Sequence, residues 1–151
     1  MKTKLRNLIC GLLIGAALLS LSACGGGDSA QKTMAGAMAA AAQEALTDVD
    51  KLYSNGYLVF TPGEDSATYV MMGFYYAQDG EARENTALGL FQGEELTSFA
   101  LKGVDGDTYD TLLEAMPKEN TEKYAKSSLI EQVCKDSGLG TADQAKTDLG
   151  I

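Results

Sequence analysis

The first 23 residues differ so strongly from the rest that they set how much of this chain can fold into a domain. Fourteen of them are apolar, and their three charged side chains, Lys2, Lys4 and Arg6, are all basic. No further charge follows until Asp28, yet the apolar run is shorter than the roughly 20 residues of a stable transmembrane helix. We therefore take residues 24–151 as the folding part, which suits one modest domain.

The order of features in this first segment is typical of a secretion signal. A basic start stays in the cytoplasm while a short apolar helix enters the translocon. The apolar run ends in Leu21, Ser22, Ala23 and Cys24, with two small residues before the cysteine. These residues resemble the lipobox of bacterial lipoproteins, and the resemblance covers only the first 24 to 29 residues. Two alternatives are an uncleaved anchor and an ordinary cleaved signal.

The resemblance implies a role for each lipobox residue. Signal peptidase II would cut between Ala23 and Cys24, with Leu21 filling the apolar site upstream and the small Ser22 beside the bond. Cys24 would carry a diacylglyceryl thioether, and its freed amine could be acylated as well. Because each buried methylene contributes about 0.8 kcal/mol, two or three acyl chains hold a protein at a bilayer durably. The expected location is the extracytoplasmic face of the cell membrane or outer membrane.

The lipobox and the glycine-rich segment after it predict a division of the chain into three parts. Residues 1–23 are the expected signal peptide, and residues 24–30 are the lipidated cysteine with a glycine-rich tether. The composition of that tether is typical of a flexible linker. Residues 31–151 are the expected single small domain.

Charge and composition exclude several classes of function. Residues 24–151 hold nine basic against 21 acidic side chains, a formal charge of −12, whereas nucleic-acid binding needs a basic stripe. The chain has no His, which removes imidazole metal sites, Ser-His-Asp triads and Cys-His pairs. We therefore expect no nucleic-acid partner, no metal, no cofactor and no enzymatic activity. The expected partners are the membrane, through Cys24, and another envelope protein.

The hydrophobic pattern predicts an α+β domain that begins with a helix. Between residues 31 and 54 apolar side chains recur every three or four positions among many alanines, which predicts one N-terminal helix stopped by Asn55 and Gly56. Four β-rich runs separated by short turns then predict an antiparallel sheet of about four strands. They span residues 57–61, 67–77, 85–91 and 96–101.

The last third of the chain predicts two or three helices. The first runs to about Met116, and the second starts at Asn120 or Thr121 and continues through Lys135, with Gly138 as its stop. A final short helix begins with a capping box formed by Thr141 and Gln144.

One group of side chains is the candidate for partner or ligand contact: Tyr57, Tyr69, Met71 and Tyr75. The last three alternate along the second predicted strand, whose other face is also apolar, so neither face is plainly polar. Tyrosine joins an apolar ring to a hydroxyl and suits a surface that is exposed in one state and covered in another. The alternative is ordinary burial beneath the alanine-rich helix.

Other reactive side chains favour structural roles. Cys134 would be the only free thiol, and its place on the apolar side of a helix favours a core cysteine over a reactive one. Glu94 and Glu95 fall at a turn, where solvated charge is the ordinary explanation. The acidic run that begins at Asp105 lacks the glycine and glutamate of an EF-hand loop and favours helix capping.

Three functions are compatible with these features. The first is a lipid-anchored cell-envelope lipoprotein that binds or supports another envelope component without enzymatic activity. The second is an extracytoplasmic small-ligand binder that uses the tyrosine and methionine face. The third is a hydrolase that uses carboxylates alone, which requires a pair of buried, facing acids.

Overall fold

A sheet of long antiparallel strands forms the centre of the computed structural model, which describes residues 28–62 and 67–151. The expected signal peptide, the lipobox residues Leu21 to Cys24 and the three glycines of the tether lie outside the described residues. Residues 28–30, predicted as the end of the tether, instead form the start of the first helix. The elements are α1 (Asp28–Ala45), β1 (Tyr53–Pro62), β2 (Thr68–Gln78), β3 (Glu81–Gln92), β4 (Glu95–Leu101), α2 (Gly106–Ala115), β5 (Asn120–Tyr124), α3 (Ser127–Ser137), β6 (Gly140–Thr141) and α4 (Ala142–Leu149).

The described sheet has six strands in the order β4-β3-β2-β1-β5, and β6 pairs with β1 on the same edge as β5. All pairs are antiparallel except that of β6 with β1, so the sheet is mixed. The predicted α+β class, with an N-terminal helix, a four-strand meander and C-terminal helices, is confirmed. The strand count was predicted too low, because β5 and β6 were not foreseen.

Helix α1 is shorter than the predicted helix over residues 31–54. It ends at Ala45, and the backbone then makes a turn in which Val49 N donates to Leu46 O at 3.4 Å. The alanine-rich part has the highest helix propensity, whereas Thr47, Asp48 and Val49 have lower propensities. Val49 was predicted to lie on the apolar face of the helix, and it packs against the core from the loop that follows α1.

The segment Asn120–Tyr124 is a strand rather than the first turns of a helix. Four of its five residues are exposed, so it carries no apolar period from which pairing could be predicted. It is held by its register with the outer edge of β1, where Leu58 lies opposite Tyr124. The predicted stop of α3 at Gly138 is confirmed, with φ 72°, and so is the Thr141–Gln144 capping box of α4.

The two faces of the sheet are covered differently. On the face that we call the first face, α1 and α3 cover the β2 side chains Val70, Met72, Phe74 and Tyr76. On the opposite, second face, α2 packs its Tyr109 and Leu112 over one end of the sheet. Helix α4 packs at the other end, where the Tyr53 hydroxyl donates to Asp148 Oδ2 at 2.7 Å.

Helix α1 crosses the first face from one end of the sheet to the other. Its Met38 lies against Gly89 in the half of the sheet that carries the β3–β4 turn. Nearer its C-terminus, Gln43 Nε2 donates to Ser137 O at 3.0 Å, close to the start of β1. These contacts, with the short connection from Ala45 to the start of β1 at Tyr53, indicate that the N-terminal end of α1 points toward the β3–β4 turn end of the domain.

Candidate functional site

The centre of the second face, between α2 and α4, is left uncovered. Gly56, Gly73 and Thr86 lie side by side there on β1, β2 and β3. Because two of these three residues have no side chain, the sheet forms the floor of a hollow of about 420 Å³. We call this hollow the central trough; its walls include Leu58, Met71 and Tyr124.

A β-bulge in β1 shapes one end of the floor. The register with β2 shifts between Ser54 and Gly56, which leaves Asn55 without a partner across the strands. Gly56 has φ 129°, a conformation that favours glycine. The buried hydroxyl of Ser54 accepts from Gly56 N at 3.1 Å and donates to Gly73 O at 3.0 Å, so it satisfies main-chain groups that the bulge displaces.

The bulge places the Asn55 carboxamide over the floor of the trough. Its Nδ2 donates to the Tyr75 hydroxyl at 3.2 Å. A Cβ atom added to Gly73 would collide with the same carboxamide, so a glycine at this position gives Asn55 its place. The carboxamide remains solvent-exposed and offers both a donor and an acceptor at the trough.

The walls of the trough are apolar or aromatic. Leu58 and Met71 are half-buried and pack against the cluster beneath α2. Tyr124, opposite Leu58, is 73% exposed, so most of its ring has no protein packed against it. All the side chains that line this hollow are uncharged, in a domain whose formal charge is −12.

A second hollow of about 530 Å³ adjoins the trough at Thr86. Thr86 lines both hollows, and the far side of the second is formed by Glu84, Lys102 and Gly103. The buried Asn85 holds this corner together, because its Oδ1 accepts from Thr86 N at 2.9 Å and from Gly103 N at 3.0 Å.

Two of the four residues predicted for contact, Tyr57 and Met71, line the trough, and the other two lie outside its lining. Tyr69 is buried beneath α2, and the half-buried Met71 lines the trough. Tyr75 is half-buried and reaches the trough only through the hydrogen bond that its hydroxyl accepts from Asn55. Tyr57 lies opposite Met72 in the register and is buried on the first face, in the cluster that contains α1. The predicted alternation of β2 is confirmed. Although its ring packs in the cluster of the first face, Tyr57 also lines the trough together with Met71.

Sequence reasoning missed Asn55, Gly73, Thr86 and Tyr124 as trough residues. An isolated glycine inside a strand pattern signals a bulge or a close approach of another group, so Gly73 carried a usable signal. Asn55 was assigned to a helix stop because the bulge could not be foreseen. Tyr124 lay in a segment predicted to be helical.

The two glutamates at the β3–β4 turn, Glu94 and Glu95, were both predicted to be solvated, and one of them is buried. Glu94 is only 4% exposed, and neither of its carboxylate oxygens has a hydrogen-bond partner. Solvated charge is therefore the wrong description of Glu94, whereas Glu95 is half-buried. Among the described residues Glu94 is the one buried acid, so the facing pair that a carboxylate hydrolase needs is not found in residues 28–62 and 67–151.

Cys134 lies in the core, and the acidic run lies at the N-terminus of α2. The Cys134 side chain is 1% exposed, and its burial raises the pKa of the thiol. Asp105 is the N-cap residue of α2 but makes no side-chain capping hydrogen bond. Within the described residues no group of three or more His, Cys, Asp or Glu side chains is arranged to hold a metal ion.

No helix in the described part of the chain is long and apolar enough to cross a membrane. Comparison with protein-family models, with curated proteins and with solved structures finds no match to this chain.

Proposed function

We propose that this chain is a lipid-anchored bacterial cell-envelope protein that binds another envelope component and has no enzymatic activity. The observation that carries the proposal is the sequence Leu21, Ser22, Ala23, Cys24 after a basic start and a short apolar run. The anchor is the proposed diacylglyceryl thioether on Cys24, placed on the extracytoplasmic face of the cell membrane or outer membrane.

The start of the folded domain supports this arrangement. Helix α1 is described from Asp28, only four residues after Cys24. At about 3.5 Å per extended residue, the intervening chain spans no more than about 14 Å. The proposed anchor would therefore hold the N-terminal end of α1 close to the lipid headgroups.

The anchor is tested by the intact mass of the detergent-extracted protein. The proposal requires the loss of residues 1–23 together with the added mass of the acyl groups. Cys24→Ala is the control, and both changes must disappear in this variant. A full-length chain with an unmodified thiol at position 24 would overturn the proposal.

The binding role has a second, more specific form, in which the protein captures a small ligand from its surroundings. The central trough favours it, since it is concave, mostly apolar and equipped with a few polar groups, as ligand sites are. In this form Tyr57 and Met71, which line the trough, remain contact residues, and Tyr75 positions the Asn55 carboxamide through its hydroxyl. Tyr69 packs in the cluster beneath α2. Capture is tested by titration of the purified protein with candidate ligands, and the absence of any saturable binding at the trough would count against this form.

A further inference from the structure

We infer that the central trough, with the hollow that adjoins it at Thr86, binds a linear neutral saccharide. The inference deepens the ligand-capture form of the proposed function and is independent of the lipid anchor. It rests on the charge of the lining, on the main-chain pairing of the floor and on the polar groups that the trough offers.

The charge of the lining favours a neutral ligand. The domain carries a formal charge of −12, and yet the side chains that line the trough are uncharged. An anionic ligand would be repelled by the domain and would find no cation in the trough. A cationic ligand would find no carboxylate in the trough. The second hollow is lined by one acidic and one basic side chain, Glu84 and Lys102, so its lining has no net charge.

The floor of the trough cannot pair with a peptide main chain. The trough crosses the strands, and its floor belongs to β1, β2 and β3, of which β2 and β3 are paired along both edges. An extended peptide binds a sheet by adding a strand to an open edge, where main-chain donors and acceptors are available. A ligand that lies across these strands must instead be held by side chains.

The side chains at the trough suit a sugar ring. Such a ring has flat patches of C–H bonds and a rim of hydroxyl groups. The exposed ring of Tyr124, with Leu58 and Met71, offers apolar surface for the C–H patches. The carboxamide of Asn55 and the hydroxyl of Thr86 offer donors and acceptors for the rim. A purely apolar ligand would bury these polar groups without partners, which is costly.

The length of the site favours an oligosaccharide over a single sugar. Thr86 lines both hollows, so the trough of about 420 Å³ and the second hollow of about 530 Å³ are neighbours on either side of this residue. Together the two linings extend from Tyr124 on β5 to Lys102 beyond the end of β4. A single ring would occupy one hollow and leave the other exposed.

The test is a titration of the ¹⁵N-labelled mature protein with chitotetraose and, separately, with maltotetraose. The detergent is dodecylphosphocholine, because a detergent with a sugar head group would compete for the site. The expected result is a saturating chemical-shift change at the Asn55 side-chain amide and at the Thr86 and Tyr124 backbone amides with at least one of the two sugars. The absence of such changes with both sugars at about 10 mM would overturn the inference, because a dissociation constant above that concentration is too weak for ligand capture.

Two variants and one control locate the binding. Tyr124→Ala should weaken binding by about tenfold through loss of the exposed ring, and Lys123→Ala, one position away on the opposite face of β5, should leave it unchanged. Gly73→Ala should also weaken binding because the new methyl group displaces Asn55. If Gly73→Ala does not fold, the exposed Tyr124 still provides the test. Equal effects of Tyr124→Ala and Lys123→Ala would overturn the inference.

A photoreactive group at position 124 in intact cells provides the opposing test. Crosslinking to glycan material supports the inference, whereas crosslinking to one discrete protein would overturn it. The fate of Cys24 is read separately from the intact mass. Sugar binding by a protein with an unmodified Cys24 would overturn the anchor and leave the inference standing, and a lipidated protein without sugar-induced shifts would do the reverse.

Discussion

At the scale of single residues, the trough depends on where side chains are missing. Gly56 allows the bulge that releases Asn55 from the ladder, and Gly73 provides the space over which the Asn55 carboxamide lies. Ser54 compensates for the bulge with two hydrogen bonds from a fully buried hydroxyl. These residues are neighbours in the sheet although Gly73 lies 17 or more positions along the chain from the others.

Glu94 is the residue whose replacement should stabilise the fold. A buried carboxylate without hydrogen-bond partners costs free energy, because its hydration is lost and not replaced. We expect Glu94→Gln, which removes the charge and keeps the shape, to raise the free energy of unfolding at pH 7 by about 1 kcal/mol. Urea unfolding measures this, and the half-buried neighbour in Glu95→Gln should change it less. A loss of stability in Glu94→Gln would contradict the expectation.

Ionisation of one thiol and two tyrosine hydroxyls should make the protein less stable at high pH. Burial raises the pKa of Cys134 and of Tyr109, and the hydrogen bond to Asp148 raises the pKa of Tyr53. Each raised pKa means that the fold favours the neutral form. The resulting stabilisation is complete below the ordinary values of 9.0 for Cys and 10.0 for Tyr, and it is lost as the pH rises through the folded-state values.

The measurement is the free energy of unfolding in urea at pH 7, 9 and 10.5, under reducing conditions. It should fall from about pH 9 upward. The variant Tyr53→Phe with Tyr109→Phe cannot ionise at these positions, so its alkaline decline should be shallower than that of the parent. An identical decline in both proteins would show that these two hydroxyls do not contribute.

At the scale of elements, local sequence patterns predicted the helices and strands that have periodic apolar residues. They missed the strands and the hollow that depend on pairing between distant segments. The alternation of β2 and the alanine-rich stripe of α1 are repeated signals; β2 forms where it was predicted, and α1 forms over the alanine-rich part of its prediction but ends nine residues early. The exposed segment of β5 has no such signal, and its state is set by the open edge of β1. The trough required the β1–β2 register, which no local pattern contains. Of the predicted contact group, Tyr57 and Met71 line it, whereas Tyr75 reaches it only through its hydrogen bond with Asn55.

The contact between α1 and the sheet depends on the absence of a side chain at Gly89. A Cβ atom there would collide with Met38 Sδ and lie 3.0 Å from Leu96 Cδ1. Overpacking of a tight core costs typically about 1–3 kcal/mol, and the flexible methionine favours the lower part of that range. We expect Gly89→Ala to lower the free energy of unfolding accordingly, as measured in urea. Gly106→Ala is the matched control, since a Cβ atom there meets nothing within 4 Å.

At the scale of the whole molecule, the chain direction of α1 relates the proposed anchor to the proposed binding surface. The N-terminal end of α1 points toward the β3–β4 turn end and lies within about 14 Å of chain from Cys24. Thr86 lies six residues before Gln92 on β3, which places the trough about 20 Å from that end at about 3.3 Å per residue. An anchored domain would thus present its trough away from the headgroups, where an envelope polymer can reach it.

This orientation predicts different distances from the bilayer for the two ends of β3. Glu81 and Gln92 are both exposed and lie about 36 Å apart along the strand, at about 3.3 Å per residue. In the mature lipidated protein on vesicles, a dye on Gln92→Cys should transfer energy efficiently to acceptor-labelled lipids, and the same dye on Glu81→Cys should transfer much less. The parent protein is the control for selective labelling, because Cys134 is 1% exposed and should not react. Stronger transfer from Glu81→Cys would mean that the opposite end of the sheet faces the lipid, and the trough would then lie closer to the headgroups than a site for an envelope polymer requires.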